Sequence, residues 1–288
     1  MMVLGFPDYD LPARRLAEIL GVTYACIAIH RFPDGESKVT LPPSLPDRVV
    51  LCRSLNDPNG KLIELMLAAQ TARQLGAQTL ILVAPYLCYM RQDIAFSEGE
   101  AVSQTIVGKF LSELFDEVIT LDPHLHRTPT LLQAIPAKRA LALSATGLIG
   151  KFLSTHAVGA FILGPDEESL QWVKAVAADG FDYAVCHKFR RSDTQVQVKL
   201  PDLSLRGRNV VLVDDMASTG QTVVAATQQC LAAGAERVDA FVSHALFVQG
   251  AIIKMKKAGV SEVWSTDSIT DASNVVQLAE LLANAIGR

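Results

Sequence analysis

Apolar runs alternating with amphipathic stretches predict an α/β fold of two similar domains, each a mainly parallel sheet flanked by helices. Two observations carry this prediction. The run Val210-Val-Leu-Val213 shows no polar residue to solvent, as expected of a strand covered on both faces. The order of segments also repeats within the chain. Val39-Thr-Leu-Pro42, Val49-Val-Leu-Cys52, a helix and Gly76-Ala-Gln-Thr-Leu-Ile-Leu-Val83 are echoed by Val198-Lys-Leu-Pro201, Val210-Val-Leu-Val213, a helix and Gly234-Ala-Glu-Arg-Val238. Asp116-Glu-Val-Ile-Thr-Leu-Asp122 is likewise echoed by Ser261-Glu-Val-Trp-Ser-Thr-Asp267. The halves join near Leu141, which gives domains 1–141 and 142–288 with no low-complexity linker between them.

In chain order, the amphipathic stretch Pro12–Leu20 predicts a helix and the apolar run Cys26–His30 a strand. Strand Val49–Arg53, helix Lys61–Leu75, strand Thr79–Ala84, helix Ser103–Leu114 and strand Glu117–Leu121 complete the first half. The second half opens with helix Thr146–Thr155, strand Ala160–Leu163 and helix Glu167–Ala178. Strands Tyr183–His187, Val196–Lys199 and Val210–Val213 follow, then helix Thr222–Ala233. Strand Val238–Ser243, helix Ala251–Ala258, strand Glu262–Ser265 and helix Asn274–Ala285 end the chain.

Composition narrows the class. Half of the 288 residues are hydrophobic, enough for one large or two medium cores. A formal net charge of −4 without long Lys/Arg runs leaves no electrostatic footprint for nucleic acid. Met1 to Asp10 lacks a basic start followed by an apolar core, and no apolar run approaches the ~20 residues needed to cross a bilayer. A cytoplasmic protein without a membrane partner is the expectation. The five cysteines, Cys26, Cys52, Cys88, Cys186 and Cys230, are odd in number, share no metal or redox spacing, and read as reduced core residues.

The chemistry concentrates after Val213. Asp214 and Asp215 fall at the carboxyl end of an apolar strand, where open α/β sheets bind ligands. Ser218, Thr219, Gly220 and Thr222 then lead into a helix, so hydroxyls and backbone N–H groups converge at its positive N terminus, a concavity that suits a phosphate. In the first half the place of the acidic pair is taken by Arg53 and Ser54, so the scaffold is repeated there without the site.

The stretch Val210 to Thr222 resembles the phosphoribosyl-diphosphate loop of type I phosphoribosyltransferases and of the ribose-phosphate pyrophosphokinases, or phosphoribosyl-diphosphate synthetases. A duplicated domain with one degenerate copy resembles the second family, and the resemblance runs from about Arg31 to the last helix. It implies two type I phosphoribosyltransferase-like domains, Mg²⁺ as cofactor, and ATP and ribose 5-phosphate as substrates. Asp214 and Asp215 would hold the ribose hydroxyls, Asp214 also being the candidate for polarising the attacking one, while Ser218, Thr219, Gly220 and Thr222 anchor the 5-phosphate.

Other segments resemble the same family. Arg31-Phe-Pro-Asp-Gly-Glu36 is similar to its adenine loop, with Phe32 offering a stacking face and Asp34 and Glu36 as acceptors. Pro85-Tyr-Leu-Cys-Tyr-Met-Arg-Gln-Asp93 resembles its ATP signature, through Arg91, Gln92 and Asp93. Leu121-Asp-Pro-His-Leu-His126 resembles its Asp-x-His segment, in which His124 ligates Mg²⁺ or bonds the ATP phosphates and Asp122 orients it or takes a metal-bound water. His126 reads as structural. Leu163-Gly-Pro-Asp-Glu-Glu-Ser169 resembles the diphosphate loop, with Asp166 as a third metal candidate. Glu168, Ser169 and Trp172 depart from the family there, and Gln221 stands where it has glycine. His187-Lys-Phe-Arg-Arg-Ser-Asp193 resembles the mobile catalytic loop, with Lys188 and Arg190 two apart on one side of an extended segment.

Together these features imply transfer of the diphosphate of Mg-ATP to the anomeric hydroxyl of ribose 5-phosphate, giving 5-phosphoribosyl 1-diphosphate and AMP. An adenine loop that serves a neighbouring subunit implies at least a homodimer, with tetramer and hexamer open. Two alternatives stand beside this reading. A nucleobase phosphoribosyltransferase shares the Asp214 loop but needs no ATP loop. A non-catalytic or altered-substrate paralogue finds support in Glu167-Glu168-Ser169 but gives no reason to keep Lys188, Arg190 and both acids.

Overall fold

A computed structural model describes residues 1–192, 195–248 and 250–287, with backbone alone at 179, 188–192 and 195–197. The chain forms two compact units. One comprises Met1–Leu143, Ser268–Thr270 and the segment from Gln277, and the other Ser144–Asp267 and Asp271–Val276. Each is an α/β unit built on a parallel sheet.

The first unit runs β1 (Met2–Gly5), α1 (Asp10–Leu20), β2 (Thr23–Cys26), β3 (Ala28–Arg31), β4 (Ser37–Thr40), β5 (Arg48–Cys52) and α2 (Pro58–Gln74). It continues through β6 (Thr79–Ala84), α3 (Ser103–Leu114), β7 (Glu117–Leu121), the single turn α4 (Leu131–Ala134) and β8 (Arg139–Leu143). Its sheet has the order β2-β1-β5-β6-β7-β8, parallel throughout. Val49 to Cys52 and Leu80 to Ala84 are buried completely, because helices cover both faces of a parallel sheet.

The second unit runs α5 (Thr146–His156), β9 (Phe161–Gly164), α6 (Leu170–Val176), β10 (Tyr183–Val185), β11 (His187–Ser192), β12 (Gln195–Lys199) and β13 (Asn209–Ala217). It continues through α7 (Gln221–Ala232), β14 (Arg237–Ala245), α8 (Ala251–Lys257), β15 (Val260–Thr266) and β16 (Asn274–Val276). The order β10-β9-β13-β14-β15-β16, again parallel, reproduces that of the first unit strand for strand. Leu163, Cys186, Val210, Leu212, Ala226, Cys230, Val238 and Met255 are among the side chains of its core.

The repeat extends to details. Between second and third sheet strands each unit inserts an antiparallel hairpin, β3–β4 in one and β11–β12 in the other. The echoed Gly-Ala pairs end α2 and α7. Gly76 (φ 98°) and Gly234 (φ 87°) take the left-handed conformation that glycine adopts without a Cβ penalty, and Ala77 and Ala235 donate back to the carbonyls of Ala72 and Cys230.

The structure corrects several element boundaries. The strand expected over Cys26–His30 is broken at Ile27, whose N–H bonds Gly5, and becomes β2 of the sheet and β3 of the hairpin. The run expected over Tyr183–His187 is likewise divided between β10 and β11. The helix expected from Glu167 starts as a 3₁₀ turn and is α-helical over Leu170–Val176 only. Asn274–Val276 is a strand, and the last helix, α9, is Ala279–Ile286. Arg48 and Arg139 donate to the Ile286 and Ala285 carbonyls at 3.2 and 2.9 Å, placing cations at the negative end of that helix. Cys52, Cys88, Cys186 and Cys230 are buried, but Cys26 is exposed, and all five are free thiols. Among the described residues no helix is long and apolar enough to cross a membrane.

Candidate active site

In the second unit, β13 continues to Ala217 instead of stopping at Val213, so Asp214 and Asp215 are strand residues, with Asp214 opposite Val242 of β14. Asp215 is buried, and its N–H donates to Asp214 Oδ1 at 3.0 Å. Withdrawal from water, then the neighbouring charges of Asp215 and Asp166, push the Asp214 carboxyl well above the ordinary carboxylate range. Like charges this close repel one another, a condition that an added cation relieves.

The turn after the strand ends at Gly220, the residue before α7, with φ 72°. A Cβ there would strain the left-handed backbone and approach Met255 Cγ to 3.1 Å. Having no side chain, Gly220 cannot cap α7, so the first amides of the helix meet the Ser218–Thr219 turn unmasked by a capping group. Ser218 and Thr222 are half-buried and Thr219 is exposed. Gln221 is the first residue of α7 and is exposed.

Asp166 follows β9. It is buried and accepts from the N–H of Ser169 at 3.3 Å, while Ser169 Oγ returns a bond to the Asp166 carbonyl at 2.5 Å. Ser169 fills the space that a side chain on Gly164 would need, since a Cβ there would lie 2.1 Å from Ser169 Oγ. Trp172 is buried, and Glu167 pairs with His187 Nδ1 at 2.7 Å. Lys188 and Arg190 lie on β11, opposite Val198 and Val196 of β12. The side chains of Lys188, Arg190 and Arg191, and the whole of Asp193, fall outside the described residues.

In the first unit, Phe32 N–H donates to Glu36 and Gly35 N–H to Phe32, closing the turn of the β3–β4 hairpin. Asp34 Oδ1 accepts from Glu36 N–H at 3.1 Å, so this carboxylate orders the turn. Phe32 is exposed and meets His30 edge to face at 4.8 Å. In the loop after β6, Arg91 is exposed and Gln92 half-buried. Asp93 is bound by Arg127 at 2.7 Å, with its side chain 4% exposed. Gln104 Nε2 donates to the Met90 carbonyl and Thr128 Oγ1 to Gln104 Oε1, so the Arg91 and His124 loops are tied together.

Asp122 is buried and has φ 37°, a strained backbone for a non-glycine residue. Its N–H donates to the Leu143 carbonyl. His124 and His126 meet edge to face, Nε2 to Nε2 at 2.5 Å, so one ring donates to the other.

Sequence reasoning missed a charge cluster in the first unit. Arg53, 2% exposed, binds Glu64 Oε2 at 2.6 Å and Asp8 Oδ1 at 2.9 Å and lies over the Phe6 ring. Lys61 binds Asp8 at 2.7 Å. Leu4-Gly-Phe-Pro-Asp8 and Leu163-Gly-Pro-Asp166 are parallel enough to have signalled Asp8. His244, buried at the end of β14 opposite Met216, was also missed; a lone histidine in an apolar run gives little signal.

A strand-borne acidic pair, a glycine-started helix and this sheet order define a phosphoribosyltransferase-type unit, and residues 133–281 match the phosphoribosyl transferase domain family. Residues 1–114 match the N-terminal domain of ribose phosphate pyrophosphokinase. Ribose-phosphate pyrophosphokinase of Methanopyrus kandleri is 34% identical over 291 residues, covering 99% of this chain and 98% of the relative. Ribose-phosphate pyrophosphokinase 2 of Archaeoglobus fulgidus is 33% identical over 99% of this chain and 100% of its own length. The crystal structure of phosphoribosylpyrophosphate synthetase from Mycobacterium smegmatis shares the fold with a TM-score of 0.84 at 22% identity, over 99% of this chain and 97% of that one. The chain belongs to the ribose-phosphate pyrophosphokinase family.

Proposed function

We propose that the protein transfers the diphosphate of ATP to the anomeric hydroxyl of ribose 5-phosphate. The hydroxyl oxygen attacks the β-phosphorus, the bond from that phosphorus to the oxygen bridging to the α-phosphate breaks, and AMP leaves with that oxygen. The observation that carries the reading is the β13 site. Asp214 and Asp215 hold the ribose hydroxyls, and Asp214 aims and polarises the attacking one. Ser218, Thr219, Thr222 and the amide of Gly220 hold the 5-phosphate at the start of α7.

ATP is the partner of the first domain, 1–141, and ribose 5-phosphate that of the second, 142–288. Phe32 stacks on the base while Asp34 keeps the turn in shape and Glu36 accepts from it. Arg91 and Gln92 meet the nucleotide, and Asp93 holds their loop through Arg127. Lys188 and Arg190 stabilise charge on the phosphoryl oxygens during transfer.

Oxygen-rich donor sets suit Mg²⁺. In the second unit Asp166 stands with the mutually repelling Asp214 and Asp215, and in the first Asp122 and His124 are the candidates. Bound there, the ion would neutralise polyphosphate charge.

The test is AMP formation from ATP, Mg²⁺ and ribose 5-phosphate, with 5-phosphoribosyl 1-diphosphate identified by mass spectrometry. Equal amounts of both products are expected; ligand binding without turnover would favour the altered-substrate paralogue. Because the Phe32 loop is proposed to complete a neighbour's site, at least a homodimer is needed, extended or not to a tetramer or hexamer. A folded monomer obtained by interface mutation is expected to be inactive, and turnover by a species shown monomeric in sedimentation would remove the claim. Work inside the cell takes place in the cytoplasm on this reading.

A further inference from the structure

The first unit has lost the sugar-phosphate site, yet what replaced it is an organised ion cluster. Arg53 follows β5 where Asp214 follows Val213. Counted back from the left-handed glycines Gly76 and Gly234, Glu64 of α2 and Thr222 of α7 occupy the same helical position. Where the second unit has an acid on the strand and a hydroxyl on the helix, the first has a cation just after the strand paired with an acid on the helix, at 2.6 Å. The vestigial site is filled by the protein's own charges.

Glu64 does more than neutralise Arg53. The remaining capacity of its carboxylate is directed at the hairpin. Oε1 accepts from Ser37 Oγ at 2.9 Å and from Arg31 Nε at 3.4 Å. Ser37 begins β4 and Arg31 ends β3, so these are the two residues that flank the Phe32–Glu36 turn. They also face each other in the hairpin register. A carboxylate 1% exposed, on a helix packed against the sheet, is a rigid point of attachment. Burial pushes Glu64 up, but the bonds from Arg53 and Ser37 outweigh it and hold the carboxyl below its usual range, so it is charged at neutral pH. β3 and β4 form a separate two-stranded ribbon, and two strands alone are marginally stable in water, so the hairpin depends on what ties it to the rest of the unit.

We propose that Glu64 is a positioning residue that fixes the base of the β3–β4 hairpin and so sets the affinity for the nucleotide base held by the Phe32 turn. The second half rests on the proposed function. The degenerate site is in this view retained as an anchor for the turn and not as a residue of duplication.

The test uses the full-length protein with Ser37→Ala and Glu64→Gln. Ser37→Ala leaves the Arg53–Glu64 pair intact and serves if Glu64→Gln does not fold. Amide hydrogen exchange over residues 28–40 is expected to accelerate by roughly tenfold, as loss of one hydrogen bond to a charged group implies. KM for ATP should rise several-fold while KM for ribose 5-phosphate and kcat stay near the starting values. Phe32→Ala separates the two claims: if it leaves KM for ATP unchanged, the nucleotide reading of the turn fails whatever Glu64 does. If Phe32→Ala weakens ATP but Ser37→Ala changes neither exchange nor KM, or both substrates weaken together, the positioning role is overturned.

Discussion

Asp214→Asn is expected to make the ligand-free protein more stable and the enzyme nearly inactive. The carboxyl is held well above its ordinary range by withdrawal from water and by the charges of Asp215 and Asp166. A raised acid binds its proton more tightly folded than unfolded, so its contribution to stability is whole below the unfolded value and is lost as pH rises through the folded one. At neutral pH the wild type therefore carries an electrostatic cost that asparagine, nearly the same shape, removes. A gain of about 1 kcal/mol would raise Tm by ~2–4 °C in a chain of this size, measurable by calorimetry between pH 5 and 8. The same change removes the group proposed to aim the ribose hydroxyl, for a loss of roughly two to three orders of magnitude in kcat. Mg²⁺ should raise Tm of the wild type more than that of the variant, because a cation relieves repulsion that the variant has partly lost. A variant that is less stable without ligand, or that keeps normal turnover, would contradict this account of the site.

Such a trade is expected of a site built for charge, and the candidate site was legible before the structure because strand, acids and hydroxyl-bearing turn are contiguous between Val210 and Thr222. The duplication was legible for a related reason. Parallel strands buried on both faces write themselves as apolar runs, and the glycines that stop α2 and α7 are fixed by positive φ. Elements at the edges were less so. β8, Arg139-Ala-Leu-Ala-Leu143, has no β-branched residue, and β1, Met2-Val-Leu-Gly5, has only four residues to show a pattern. Asn274-Val-Val276 adds a short edge strand to β15 although it continues directly into a helical pattern. Division of Cys26–His30 at Ile27 depends on a tertiary bond to Gly5, which no local period records.

The ion cluster was hidden because its members are far apart in sequence. Asp8, Arg53, Lys61 and Glu64 meet only after β1, β5 and α2 assemble, and a buried Arg53 is indistinguishable in sequence from a solvated one. Asp93 illustrates the same limit. Its place next to Arg91 and Gln92 groups it with them in the sequence, while its contact with Arg127, 34 residues away, is seen only in the fold.

Lys188→Ala is expected to cut kcat by about three orders of magnitude while the Kd for ribose 5-phosphate changes by less than ~2-fold. The separation follows from where the residue sits. The sugar-phosphate is proposed to be held by β13 and the start of α7, elements of the fixed sheet core, whereas Lys188 belongs to the β11–β12 ribbon outside that sheet. The ribbon has anchors at its base: Val198, opposite Lys188, is buried in the core, and His187 contacts Glu167 beside the Asp166 turn. A cation delivered from such a ribbon can act on phosphoryl oxygens as charge develops, with little to offer a sugar already bound. Binding by calorimetry and turnover by AMP release would give the two numbers. Equal losses in both would make Lys188 a ground-state binding residue, and an unchanged kcat would take the ribbon out of the chemistry. Arg190→Ala should follow Lys188→Ala in direction, and the double variant should fall well short of the product of the two single losses if both cations serve one transition state.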